Sequence, residues 1–187
     1  MNGGQDLSRV QDVQSNNFLE TLFPYDNSQG MGLVNLLSSL PVSGKNTISG
    51  VAQNNAIIAD GERHYFFVRG TYDLSQCSSV DMSVTLAWYD QGAANGSVKA
   101  LLNDLDVWVQ EINWRGNVIR GSKKRANNTS GVTDTTNNVE RIRFPIKRNR
   151  RYRITVNASN LIKDHIKYSL IATGCFNKIS NPKVGFE

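Results

Sequence analysis

Residues 80–89, VDMSVTLAWY, alternate apolar and polar side chains. Val80, Met82, Val84, Leu86 and Trp88 fall on one face and Asp81, Ser83, Thr85 and Ala87 on the other, the period-two pattern of a strand with one face in a core. Working outward, 63–72 (RHYFFVRGTY), 104–112 (DLDVWVQEI), 139–144 (VERIRF), 152–158 (YRITVNA) and 166–174 (IKYSLIATG) read as strands, with 47–52 (TISGVA) a shorter one. Gly, Asn, Asp and Pro clusters separate them, and no helical periodicity intervenes. The expected fold is all-β, an antiparallel sandwich. A jelly-roll-like arrangement is preferred over an immunoglobulin-like one, because Trp88 follows Cys77 too closely and Cys175 lies at the end of the strand series.

The 187 residues, 39% hydrophobic and 20% charged, suit one globular domain with a short appendage. The appendage is visible in the text: from Asn17 to Leu40 a turn cluster is followed by Val34, Leu36, Leu37 and Leu40 at near-helical spacing before Pro41, which predicts a loop and a short N-terminal helical segment. Gly30 and Gly32 look like the start of a phosphate-binding fingerprint. No strand precedes them and the third glycine is missing, so they read as a tight turn.

No stretch approaches the roughly 20 apolar residues of a membrane span, and MNGGQDLSRVQDV lacks the basic start and apolar core of a signal peptide. Cys77 and Cys175 leave open one disulfide or two separate buried thiols. Asn95, Asn127, Asn128 and Asn157 each begin a glycosylation sequon. Together the sequons and the two cysteines tilt the compartment toward secreted or endomembrane.

The strand at 104–112 opens on two carboxylates, Asp104 and Asp106, on the face opposite Leu105, Val107 and Val109. Solvent-facing decoration is the ordinary reading, and a glycosidase-type acid pair is disfavoured because nothing nearby suggests a sugar cleft. A third reading adds Asp134, Asn137, Asn138 and Glu140, which gather before the strand at 139–144. Two such junctions can supply the oxygens that a hard cation needs, although the spacing is not that of an EF-hand.

In order along the chain, SVTLAWYDQGAANGSVKALLNDLDVWV, GNVIRG, NNVERIRFP, YRITVNASNL and YSLIATG resemble the C-terminal β-sandwich domain attached to many subtilisin-like serine proteases. NSQGMGLVNLLSSL resembles the end of that family's catalytic domain, so the resemblance runs from about Asn27 to Gly174. It implies three parts: 1–40 as the close of a catalytic domain, 41–180 as the accessory sandwich and 181–187 as a tail. It also implies a Ca2+ site, with Asp104 and Asp106 of Asn-Asp-Leu-Asp and Asn138 and Glu140 of Asn-Asn-Val-Glu as ligands, Asp134 being added on chemistry alone.

The family's catalysis needs Asp, His and a Ser within Gly-Thr-Ser-x-Ala. That Ser motif is missing here, and the two histidines, His64 and His165, read as partly exposed strand residues, so no catalytic residue is assigned. The implied partners are the catalytic domain of the same polypeptide, docked on Val34, Leu36, Leu37 and Leu40, and a protein or peptide substrate. The rival reading is a free-standing binding module for carbohydrate or an anionic partner.

That rival draws on the net charge of +5 and on KRNRRYRITV, where Lys147, Arg148, Arg150, Arg151 and Arg153 surround Tyr152, joined by Lys123, Lys124 and Arg125. The alternation of Arg151 and Arg153 against Tyr152, Ile154 and Val156 favours a solvated strand face and disfavours nucleic acid.

Overall fold

The computed structural model describes residues 9–11, 18–20, 30–31, 33–126 and 134–186, the side chains of 9–11, 18–20, 38 and 180–186 excepted. In chain order its elements are β1 (Arg9–Gln11), β2 (Phe18–Glu20), α1 (Leu36–Ser39), β3 (Ser49–Ala59), β4 (Glu62–Gly70), β5 (Asp81–Trp88), β6 (Asp104–Ile112), β7 (Lys124–Arg125), β8 (Val139–Pro145), β9 (Arg151–Asn160), β10 (His165–Gly174) and β11 (Phe176–Phe186). A single 3-10 turn, Leu74–Gln76, precedes Cys77.

β1 and β2 form a small sheet of their own. The remaining strands form two antiparallel sheets, one in the order β3-β10-β5-β8 and the other β11-β4-β9-β6-β7. Apart from the step from β6 to β7, each successive strand from β3 onward crosses to the opposite sheet. This wrapping makes the sandwich a jelly roll, and the period-two pattern makes it possible, because each strand presents an apolar face to the space between the sheets. Met82, Val84 and Leu86 of β5 meet Leu105, Val107 and Val109 of β6, Phe66 and Val68 of β4, and Ile154 and Val156 of β9 in one core. Each large side chain fully buried there contributes about 1.5–3 kcal/mol.

The strand at 80–89 starts one residue later than its pattern suggests: Val80 is exposed and its carbonyl accepts from Ile146 N–H at 2.8 Å. The outward face of β5 is not a solvent face either, since Ser83 and Thr85 are buried. So is the neighbouring Arg141 of β8, which donates to the Met31 carbonyl at 2.9 Å and so holds the stretch before α1 against the sandwich.

The predicted helical segment is a single turn, with Asn46 Nδ2 donating to the Leu37 and Leu40 carbonyls that its end leaves open. Gly32 and most of the turn cluster before it lie outside the described residues. β11 runs through most of the stretch read as a tail, to Phe186, along the free edge of β4. Pro182 hides it in the sequence. An edge strand tolerates such a residue, and the register shifts there, between Ser180 and Lys183.

Cys77 and Cys175 are joined by a disulfide, with Cα atoms 5.8 Å apart. This resolves the alternative that the sequence leaves open. It ties the loop after β4 to the β10–β11 junction, where Thr71 N–H also donates to the Cys175 carbonyl.

Candidate functional site

β6 follows its sequence pattern. Leu105, Val107 and Val109 point into the core, while Asp104 and Asp106 project outward, half-buried. β7 pairs only with Trp108 and Val109, which leaves the start of β6 at the open edge of its sheet. β8 is the edge strand of the facing sheet. Glu140, on β8, points inward with Ile142 and is 1% exposed. Its Oε2 accepts the Val107 N–H at 2.6 Å, so one carboxyl joins the edges of the two sheets.

Burial pushes the Glu140 carboxyl up to about 9; the Val107 N–H opposes this, and the negative charges of Asp106, Asp134 and Asp104 add to it. Glu140 is therefore a neutral acid near pH 7, held by its carbonyl-type oxygen. Burial also raises Asp104, against the pull of Lys99, whose Nζ lies 3.4 Å from Oδ2. Asp104 Oδ1 is buried without a hydrogen-bond partner.

The remaining predicted ligands belong to the same corner but are spent differently. Asp134, 1% exposed, accepts from Thr136 N–H and Asn137 N–H on Oδ1 and from Asn137 Nδ2 on Oδ2, the geometry of a side chain fixing its own turn. Asn138 exchanges bonds with Trp88: its Nδ2 and the Trp88 N–H meet each other's backbone carbonyls at 3.1 and 3.2 Å. Among the described residues no group of three or more His, Cys, Asp and Glu side chains is arranged to hold a metal ion. The five predicted residues share a corner rather than a closed coordination shell.

Two residues of this corner escape sequence reasoning. Asn103, 2% exposed, accepts Ile162 N–H and Lys163 N–H on Oδ1, and its own carbonyl accepts from the Trp88 indole at 2.8 Å. Asp90 accepts Leu102 N–H on one oxygen and both Asn103 N–H and Nδ2 on the other. Together they lock the β5–β6 connection to the β9–β10 loop. An Asn before Asp-Leu-Asp and an Asp after Trp-Tyr look like ordinary turn residues, so the only signal was their flanking of the two clearest strands.

Asp106 opens with Glu140 onto a cleft of about 200 Å3, whose wall includes Trp108, Arg63 and Asn157. Asn157 accepts from Arg63 Nε at 2.7 Å and donates toward Asp106. Asn157 thus lies buried within β9, whereas Asn95 is exposed in a turn; Asn127 and Asn128 lie outside the described residues.

The histidines differ from expectation in part. His64 is buried, its Nδ1 2.7 Å from the Tyr168 hydroxyl and its Nε2 3.4 Å from Glu62, because position 64 shares the inward face of Phe66 and Val68. His165 is exposed. Tyr152, at the centre of the basic run, is buried too, and its hydroxyl accepts from Lys147 N–H at 2.9 Å. No helix of the described residues is long and apolar enough to cross a membrane. No protein-family model matches the chain, and no curated protein matches it.

Proposed function

We propose that this chain is the non-catalytic C-terminal sandwich of a subtilisin-like serine protease, stabilising the catalytic domain and assisting substrate recognition. One observation carries the reading. The two blocks on which the resemblance rests most heavily, Asn-Asp-Leu-Asp and Asn-Asn-Val-Glu, meet across the sandwich through the 2.6 Å bond between Val107 N–H and Glu140. Blocks of a shared design are expected to converge in this way. A second support is the apolar ledge of Val34, Leu36, Leu37 and Leu40, exposed beside the sandwich and fitted to a neighbouring domain. The Cys77–Cys175 disulfide supports a secreted or endomembrane setting.

Ca2+ enters this proposal as the counter-charge of the carboxylate corner. Asp104, with its partnerless buried oxygen, Asp106 and Glu140 are the residues that would hold it. Asp134 and Asn138 would act around them, since the Asp134 oxygens already hold a turn and the Asn138 amide nitrogen is bonded to Trp88 of β5. A bound divalent ion would supply binding free energy to the fold and displace the Glu140 proton.

Thermal unfolding of the full chain in excess EDTA and in millimolar CaCl2 tests the ion: the midpoint should rise by several degrees with Ca2+, and D104N/E140Q should lose the rise. The reading frame upstream of Met1 tests the rest. It should encode the Asp, His and Gly-Thr-Ser-x-Ala elements of the protease, and an in-frame stop there would overturn the proposal.

A further inference from the structure

The carboxylates sit at one end of the sandwich; the cations gather at the other. β4, β9 and β6 lie side by side, and Arg69, Arg151 and Ile112 are register partners across them at the end away from Asp104. Two strand spacings, about 10 Å, separate the outer members of this row. Beyond it lie three loops: the β8–β9 turn with Lys147, Arg148 and Arg150, the loop after β4 with Tyr72, and the loop after β6 with Trp114 and Arg115.

These loops form a continuous surface. Arg148 lies over the Tyr72 ring at 4.2 Å, Arg115 lies over Trp114 at 4.6 Å, and Arg151 donates to the Trp114 carbonyl at 3.3 Å. Lys147 and Arg150 flank Glu111 at 3.6 and 3.4 Å. Against the six cations named here stand, among the described residues of these loops and of β6, the carboxylates of Glu111 and Asp73, the latter held below its ordinary range by bonds from Ser75 and, more weakly, by Arg148. The cations therefore outnumber the acids there.

The surface is also rigid. Gly70 N–H donates to the Arg150 carbonyl at 2.9 Å, Asn149 N–H donates to the Thr71 carbonyl at 3.1 Å, and Asn149 takes the left-handed conformation (φ 58°) that the turn requires. A Cβ at position 70 would collide with the Lys147 carbonyl, so glycine there lets the turn seat against β4. Holding the cations before any ligand arrives lowers the ordering cost of binding.

We propose that this basic end is a binding surface for an acidic glycan carrying sulfate or carboxylate groups. Planar guanidinium forks match such groups in a bidentate fashion. Tyr72 and Trp114, 70% and 73% exposed, each give one ring face to an arginine, which leaves charge rather than base stacking as the leading contact and favours a glycan over single-stranded nucleic acid. The disulfide at the same end places the surface in the oxidising compartments where such glycans are met.

Heparin, titrated against the full chain across a range of NaCl concentrations, is the probe. R115S/R148S, which changes two exposed loop residues, should lower the slope of log Kd against log salt by about two, one for each lost contact. K163S/K167S, with the same charge removed at the opposite end, should bind as the parent does. Equal weakening by the two pairs would reduce the effect to net charge and overturn the proposal, as would absence of heparin binding at physiological salt. Equally tight binding of a single-stranded oligonucleotide or an acidic peptide at matched salt would overturn the glycan assignment. Unchanged thermal midpoints in both variants confirm that folding is not what the titration reads.

Discussion

The two ends of the sandwich are closed by different chemistry. At the end where β6 begins, polar side chains do the work: Asn103, Asp90 and Glu140 accept backbone N–H groups that no strand reaches, Asn103 and Glu140 from buried positions and Asp90 from a half-buried one. At the end where β6 finishes, the cations stay outside around the buried Glu111, and a covalent cross-link with three backbone bonds between loops does the closing. The difference teaches where stability and where free binding capacity reside. A carboxyl used as a backbone cap is committed to the fold, whereas an arginine stacked on an exposed ring remains available to a ligand.

Breaking the covalent end should have the largest effect. The bridge spans 98 residues of sequence, and in the chain-entropy model its removal costs about 4–5 kcal/mol. For a chain of this size that corresponds to a fall of about 10 °C or more in the unfolding midpoint. C77S/C175S compared with the parent, each with and without reductant, reads it. If the reduced parent unfolds with the oxidised one, loop packing alone closes that end and the contrast is wrong.

The polar end should respond next. Asn103→Ala removes the acceptor for two N–H groups and the donor to Asp90, all of them part-buried, a loss of about 1–3 kcal/mol. Urea unfolding measures it. The charge-removing R115S/R148S at the other end should stay within about 0.5 kcal/mol, as exposed sites usually do. Similar losses for the two would erase the distinction between committed and available polar groups.

How much of this was readable beforehand follows the same division. The apolar faces of β5, β6, β9 and β10 stand in the text because a period of two survives any tertiary context. β11 was hidden by Asn-Pro in an edge strand, and β7 by its length of two residues. The clustering of Asp104, Asp106, Asn138 and Glu140 was anticipated as one reading of two oxygen-rich junctions and again through the resemblance. That Glu140 faces the core was not, since Glu between Val and Arg suggests a polar face. Asn103 and Asp90 gave no sign beyond flanking the two clearest strands, because the burial of Asn103 depends on a loop about 60 residues further along, which periodicity does not encode.

A finer test concerns pH. The Glu140 carboxyl holds its proton in the folded chain up to about 9 and, once unfolded, releases it near its ordinary value of 4.5. Between these values the folded state binds more protons than the unfolded one, so without Ca2+ the contribution of this group falls as pH rises, by at most roughly 1.4 kcal/mol per pH unit. Glu140→Gln keeps an oxygen for Val107 N–H but cannot ionise. It should match the parent within about 1 kcal/mol near pH 4, below both values, and show a flatter decline from there toward pH 9, so that it is the more stable of the two at pH 7. Ca2+, if it binds as proposed, should protect the parent more strongly at pH 8 than at pH 6 and should not protect the variant. An unflattened curve in Glu140→Gln would place the ionisation elsewhere in the corner.

The smallest effect on stability, and the sharpest on covalent state, concerns the sequons. Asn157 belongs to the committed kind of polar group, 9% exposed and bound to Arg63 and Asp106 in the middle of β9, whereas Asn95 stands exposed in the turn closed by Ser97 N–H on the Ala94 carbonyl. A glycan on Asn157 would have to break both bonds and leave the sheet, so only chains spared it can complete the fold. In an N127Q/N128Q background passed through a eukaryotic secretory pathway, the folded product should carry a glycan at Asn95 and none at Asn157, as read by peptide mass after glycosidase release. Asn95→Gln should abolish the mass shift and move stability by no more than about 0.5 kcal/mol. A glycan found on Asn157 of the folded protein would mean that the middle of β9 opens during folding for long enough to be modified and still closes, and the division between committed and available groups would then be one of timing rather than of structure.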